Sequence, residues 1–276
     1  MRSNSKTSLR REVSAGDSLK DAQAAPLILS LDTATATRSV AVVQGERVLA
    51  RLGGRVQKEN SSSVLQDIDE ALATSGAKLK EIELFAVTTG PGSFTGLRSG
   101  IATIKAFAAT LDRPVSGVPT LHAIASAGAT ARRVLASLPA GRGEVFAQLL
   151  SVDGEGLVKE LSEPFHLSPA ALLEQAVGWG GGLTWAGAGA HAHAAAIREF
   201  AGEQKFVWRD EPEAEDESGR EQREVWTLAP LTEFYAERVA ALGLINYRQG
   251  STIDAENLHA LYVRLSDAEL NERCRR

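Results

Sequence analysis

Apolar residues open the readable part of the chain as short runs. Residues 27–31, Leu-Ile-Leu-Ser-Leu, predict a buried strand starting after Pro26 and 38–43 a second, and Gln44-Gly45-Glu46 turns the chain into a third at 47–52. The period then changes. Val64, Leu65, Ile68, Ala71 and Leu72 recur at threes and fours, which predicts a helix over 61–75 with Gly76 placed to end it. Residues 84–88 predict another buried strand, and Phe94, Leu97, Ile101, Ile104, Ala108 and Leu111 form the apolar stripe of a helix over 94–111. A strand at 114–118 and a helix at 119–128 follow, with Pro119 acceptable in the first helical turn. Beyond this point the pattern is weaker. It predicts a hairpin of 144–152 and 156–161 around Asp153-Gly154, a helix at 168–177, a strand at 183–186, a helix at 225–242 and an extended tail at 258–265.

The order β-β-β-α-β-α-β-α is how domains of the actin, sugar-kinase and Hsp70 group begin. It predicts an α/β, actin-like (ribonuclease H-like) fold of two related domains, the second reduced: 26–130 and 131–276, after a disordered extension at 1–25. Residues 209–224 are acidic and carry no apolar side chain larger than alanine, so they read as a solvated insertion in the second domain.

Composition narrows the classes. The net charge of −5 over 276 residues leaves no broad basic field, which disfavours a protein that grips RNA through phosphates alone. A single cysteine, Cys274, rules out an intrachain disulfide and a thiolate zinc cluster, and fits a reducing, cytoplasmic setting. The first 25 residues hold no apolar run for a signal peptide or membrane span.

Candidate chemistry gathers at Thr88-Thr89-Gly90-Pro91-Gly92-Ser93-Phe94, a glycine loop feeding a helix. It is either a tight strand-to-helix turn or a place where backbone amides at Gly92 and Ser93 hold an anion, with Arg98 one turn on. Gly96 and Gly100, beside Thr103, make one helix face smooth. That face either seats an internal neighbour or is a subunit interface. Asp32 and Thr33 end the first strand where an acid of this fold group meets nucleotide phosphates, but Ala34 and Ala36 stand where close backbone approach favours glycine; Asp32 is a turn former or a water-mediated magnesium contact. The glycines at 180–182 and 187–189 are turns or an adenosine-side loop. His191 and His193 are the only histidines close in sequence and diverge if helical, and no metal site and no nucleophilic triad is expected.

The stretch Leu31-Asp32-Thr33-Ala34-Thr35 with Ser39-Val40-Ala41-Val42, and above all Gly90-Pro91-Gly92-Ser93-Phe94-Thr95-Gly96-Leu97-Arg98-Ser99-Gly100, resembles the TsaB (YeaZ) family. Gly117-Val118-Pro119-Thr120-Leu121 and Leu261-Tyr262-Val263-Arg264 are also similar to the family pattern. The resemblance implies a non-catalytic subunit that pairs with the related TsaD and with the ATPase TsaE to form N6-threonylcarbamoyladenosine at position 37 of tRNA. It implies contact with tRNA only through the complex, a homodimer or a monomer when alone, no tightly bound cofactor, and room for ATP or ADP at the surface shared with TsaD. It also implies pairing through the first two helices, so Val64, Ile68, Phe94, Leu97, Gly96, Gly100 and Thr103 are the expected partner residues, and Asp32, Thr33, Gly92, Ser93 and Arg98 the expected phosphate contacts. The chain departs from the family at Asn60 or Ser61, where many members have histidine, and at Pro139-Ala140-Gly141, where they have Asp-Ala-Arg. The alternatives are a stand-alone phosphotransferase of this fold, which needs an intact phosphate loop, and a metallopeptidase, which needs metal ligands.

Overall fold

The computed structural model describes residues 25–56, 63–128, 130–211 and 225–263. The expected extension up to residue 24, most of the acidic insertion, the run from Lys58 to Ser62, and Cys274 lie outside the described residues.

Strands β1 (Leu27–Asp32), β2 (Thr37–Gln44) and β3 (Arg47–Val56) form the antiparallel meander, and β4 (Leu84–Gly90) and β5 (Val115–Pro119) add parallel to β1, giving a sheet ordered β3-β2-β1-β4-β5. Helix α1 (Val64–Ser75) begins where Ser63 and Gln66 form a reciprocal capping box and ends at Gly76, whose φ of 72° is the left-handed stop. Helix α2 (Phe94–Leu111) is capped by the Ser93 hydroxyl, which accepts from the Gly96 amide at 3.2 Å. Both pack on one face of the sheet, where Ile68, Leu72, Ile101 and Ile104 meet Leu29, Leu31, Phe85 and Val87.

The chain continues through α3 (Thr120–Gly128) and crosses to a second sheet at β6 (Ala131–Gly141). β6, β7 (Glu144–Val152) and β8 (Val158–Glu160) repeat the meander, with the short β9 (Phe165–Leu167) also pairing with β7. After helix α4 (Pro169–Trp179), β10 (Leu183–Ala186) joins parallel to β6. Helices α5 (Ala188–Ala192) and α6 (Ala194–Glu203) then lead through β11 (Val207–Arg209) to β12 (Val225–Leu228). The path β8-β7-β6-β10-β12 reproduces β3-β2-β1-β4-β5. The copy is reduced at its meander edge, where β8 has three residues against ten in β3, while β6 and β7 are as long as their counterparts or longer.

Each repeat ends in a helix between the two sheets. Leu121, Ile124 and Ala125 of α3 pack on Val134, Ala136 and Leu150 of the second sheet, whereas Ala236, Val239 and Ala240 of the last helix, α7 (Tyr235–Arg248), pack on Ile28, Ala41, Leu84 and Ala86 of the first. Assigning all of 131–276 to the second domain therefore fails for α7 and the tail. Ala236 donates to Ser39 Oγ at 3.0 Å and its carbonyl accepts from Ser30 Oγ at 2.8 Å, while Ile253 and Val115 exchange backbone bonds.

The expected helix at 225–242 is also corrected. Val225-Trp226-Thr227-Leu228 is a buried β-type run pairing with β10, and Pro230 lies between it and the helix, which starts only at Tyr235. β6, β9 and β11 escape the sequence pattern; β6 does so because Arg132 and Arg133 give its start a polar look, although Arg133 turns inward to donate to the carbonyls of Trp179 and Gly181. No helix among the described residues is long and apolar enough to cross a membrane.

Candidate functional site

Between the repeats lies a cleft of about 850 Å³. One wall is the β1–β2 turn at Ala34 to Thr37 with the start of α2 at Phe94, Leu97 and Arg98. The other is Leu138 to Gly141 at the end of β6, with Phe146. Thr232, Glu233 and Tyr235 lie at the start of α7, and Leu261, Tyr262 and Val263 border the cleft from the tail.

Asp32 is fully buried and does not line the cleft. Its carboxylate accepts from the Ala34 amide at 3.0 Å, from Thr88 Oγ1 at 3.0 Å, and from the Thr35 hydroxyl. These bonds tie the β1–β2 turn to β4, so of its two readings the turn former is the one the geometry supports, and the expected phosphate contact at Asp32 is corrected. Burial pushes the Asp32 carboxyl above its ordinary value of 3.8, against the pull of its hydrogen bonds toward ionisation. The folded state thus holds this proton more tightly than the unfolded state. Its contribution to stability is greatest below the ordinary value and is lost as pH rises from there toward the raised folded value. Replacing Asp32→Asn, which keeps an acceptor for Ala34 and Thr88 while the Thr35 hydroxyl can turn to accept, should flatten that fall in urea midpoint measured from pH 4 upward.

The glycine loop is closed against the β1–β2 turn. The Ser93 amide donates to the Ala34 carbonyl at 2.7 Å, and a Cβ at Gly92 would stand 2.4 Å from that same oxygen. The Ser93 amide is spent inside the protein, so it is not a free donor for an anion, while the Ser93 hydroxyl accepts from the Gly96 amide. Gly92, Ser93 and Arg98 do border the cleft, whereas Thr33 is buried behind it. The tail closes the same region, since the Leu261 amide donates to the Thr89 carbonyl at 2.7 Å and Leu258 is buried.

The smooth face of α2 is internal. A Cβ at Gly96 would lie 1.9 Å from the Thr33 carbonyl oxygen, and one at Gly100 2.2 Å from Thr33 Oγ1. Val64 and Ile68 are likewise 7% and 1% exposed and face the first sheet. These four are therefore corrected as partner residues. Leu97 is buried against the cleft, Thr103 is half-buried with its hydroxyl on the Ser99 carbonyl at 2.8 Å, and Phe94 stays 38% exposed.

The second glycine loop is structural as well: the Gly180 carbonyl accepts from Trp226 Nε1 at 3.0 Å. His191 Nε2 donates to the Ala229 carbonyl, 2.8 Å away, and among the described residues no three metal-ligating side chains stand together.

Sequence reasoning missed Tyr235, which is 4% exposed and lines the cleft, its hydroxyl held neutral by burial and then by the charge of Asp32. It missed Tyr262 too. The position of Tyr235 at the first turn of α7 was hidden by reading one helix from residue 225.

Residues 44–195 match the family model described as TsaD: tRNA N6-adenosine threonylcarbamoyltransferase. The chain is 29% identical over 242 residues to the tRNA threonylcarbamoyladenosine biosynthesis protein TsaB of Escherichia coli, covering 86% of this chain and 94% of that one. It is 36% identical over 123 residues to the protein of the same name from Haemophilus influenzae, covering 43% of this chain and 51% of that one. YeaZ from Pseudomonas aeruginosa, at 23% identity, superposes with a TM-score of 0.63 over 86% of this chain and 99% of its own, which shows a shared fold. With more than half of its length matched by the family model, this chain belongs to the TsaD-type tRNA N6-adenosine threonylcarbamoyltransferase family, in its TsaB (YeaZ) branch.

Proposed function

We propose that this chain serves the formation of N6-threonylcarbamoyladenosine on tRNA in the cytoplasm as a non-catalytic subunit, pairing with a TsaD-type catalytic chain and a TsaE-type ATPase. The observation that carries the reading is the likeness to E. coli TsaB along nearly that protein's whole length. The closed glycine loop supports it, because a fold of this group that turned over nucleotide alone would keep its phosphate-facing amides free, and the Ser93 amide is bonded to Ala34.

The surface offered for pairing is the outer face of α2, not the glycine face. Ser99, Ala102, Ala106 and Ala109 are exposed there at spacings of three and four, small enough for a partner helix to approach closely, and Leu65 of α1 is 52% exposed. A homodimer in isolation would use the same face, and nucleotide would sit at the shared surface.

Purified chain mixed with TsaD from the same organism should give a discrete complex by light scattering after size exclusion. Ala106→Arg should weaken that complex about tenfold or more by placing a charge in a close helix contact, with the unfolding midpoint unchanged because the site is exposed. Absence of a complex with and without ATP would overturn the reading. An ATPase intrinsic to the lone chain would favour a phosphotransferase instead.

A further inference from the structure

Aromatic side chains are scarce here, 5% of residues, and most of them are buried or half-buried. Phe94, Tyr247 and Tyr262 are exposed, at 38%, 41% and 48%, and of these Phe94 and Tyr262 meet at the mouth of the cleft. Their ring centroids are 5.6 Å apart at an interplanar angle of 42°, and the exposed Arg98 lays its guanidinium carbon 3.8 Å from the centre of the Phe94 ring. This is a row of three π-faces, cation, phenyl and phenol, drawn from a helix start and from the tail, which the Leu261–Thr89 bond fixes in place.

We propose that the Arg98–Phe94–Tyr262 row is a stacking platform for one unpaired nucleobase, that of a single-stranded RNA loop. Stacking on aromatic rings and guanidinium planes is how splayed bases are held, and it needs no basic field, which a chain of net charge −5 does not have. Behind the row the cleft is walled by Leu97, Leu138 and Phe146, suited to a flat apolar ring. Thr232 and Glu233 line the same space and supply a hydroxyl and a carboxylate for the donors on a base edge. The same ring chemistry occurs in a free nucleotide. Because the Ser93 amide is already spent on Ala34, a triphosphate would gain nothing from it, and a base whose phosphates are carried by an RNA backbone fits better.

That the RNA is a tRNA loop rests on the proposed function, and the test keeps the two apart. An anticodon stem-loop carrying 2-aminopurine in its loop is titrated with the full chain, since the fluorescence of this base falls when it stacks. Wild type and Tyr262→Phe should quench it alike. Tyr262→Leu, which keeps an apolar side chain against Phe94, should bind about tenfold more weakly, and Arg98→Ala, at an exposed site, several-fold more weakly. Binding should change little between low and physiological salt, unlike binding through phosphates. Equal quenching by wild type, Tyr262→Leu and Arg98→Ala overturns the platform, as does the absence of quenching by wild type. Displacement of the stem-loop by AMP or ATP at equimolar concentration reassigns the row to free nucleotide and overturns the RNA source. In a reconstituted threonylcarbamoylation assay, failure of the wild-type chain to support modification would sink the proposed function while leaving the quench to stand or fall alone.

Discussion

Gly100→Leu is expected to destabilise the chain rather than release a partner from it. The Cβ alone would sit 2.2 Å from Thr33 Oγ1 and 3.1 Å from its Cγ2, inside a contact that is already fully buried, and three further heavy atoms have no space to occupy. Overpacking of this kind costs about 1 to 3 kcal/mol or more, against a total stability on the order of 5 to 15 kcal/mol for a typical protein. Chemical denaturation should show a clearly lowered midpoint, and whatever fraction stays folded should associate normally. The two glycines are separable. At Gly100 the obstacle is a side chain, and Thr33→Ala removes both the clash and a buried hydroxyl that has no hydrogen-bond partner. At Gly96 the obstacle is the Thr33 carbonyl, 1.9 Å from the added Cβ, which no side-chain change removes. Thr33→Ala should therefore rescue Gly100→Ala and leave Gly96→Ala as damaged as before. Equal rescue of both would mean that α2 can shift away from the β1–β2 turn.

These glycines also show where sequence reading stops. The 3.6-residue stripe of α2 gave both its ends, because Ser93 caps one and the apolar positions run out at Leu111. The smooth face was just as visible. What it packs against was not, since the neighbour, Thr33, is sixty residues or more away and belongs to a turn with no helical period. The cleft follows the same logic: Gly92, Ser93 and Arg98 announce themselves in one motif, while the opposite wall is assembled from Leu138 to Gly141 and from Tyr262 in the tail. In the second repeat several strands are short, and a three-residue strand such as β9 or β11 cannot display an alternation. The false helix from residue 225 arose because Leu228, Leu231, Phe234 and Tyr235 happen to continue the spacing of α7 across Pro230.

The buried ion pair of Arg38 and Asp67 carries the second large effect, and it bears on the pairing surface from within. Arg38 Nε and one terminal nitrogen both lie 2.7 Å from Asp67 Oδ2, with the two side chains 9% and 8% exposed, so β2 and α1 are joined by a charge pair on a mostly apolar interface. Removing one member leaves the other charged in a site from which water is largely excluded. Asp67→Ala should accordingly destabilise by about 3 to 5 kcal/mol. Replacing both, Arg38→Met with Asp67→Leu, removes both desolvation penalties with the attraction and should recover most of that loss. The functional readout separates anchoring from simple stability. Asp67 lies two residues from the exposed Leu65 on α1, so if the pair holds α1 in register beside α2, the double variant should come close to wild type in urea midpoint yet bind the TsaD-type partner less tightly. Recovery of both stability and binding by the double variant would instead make the pair a replaceable core contact, leaving the outer face of α2 to account for association on its own.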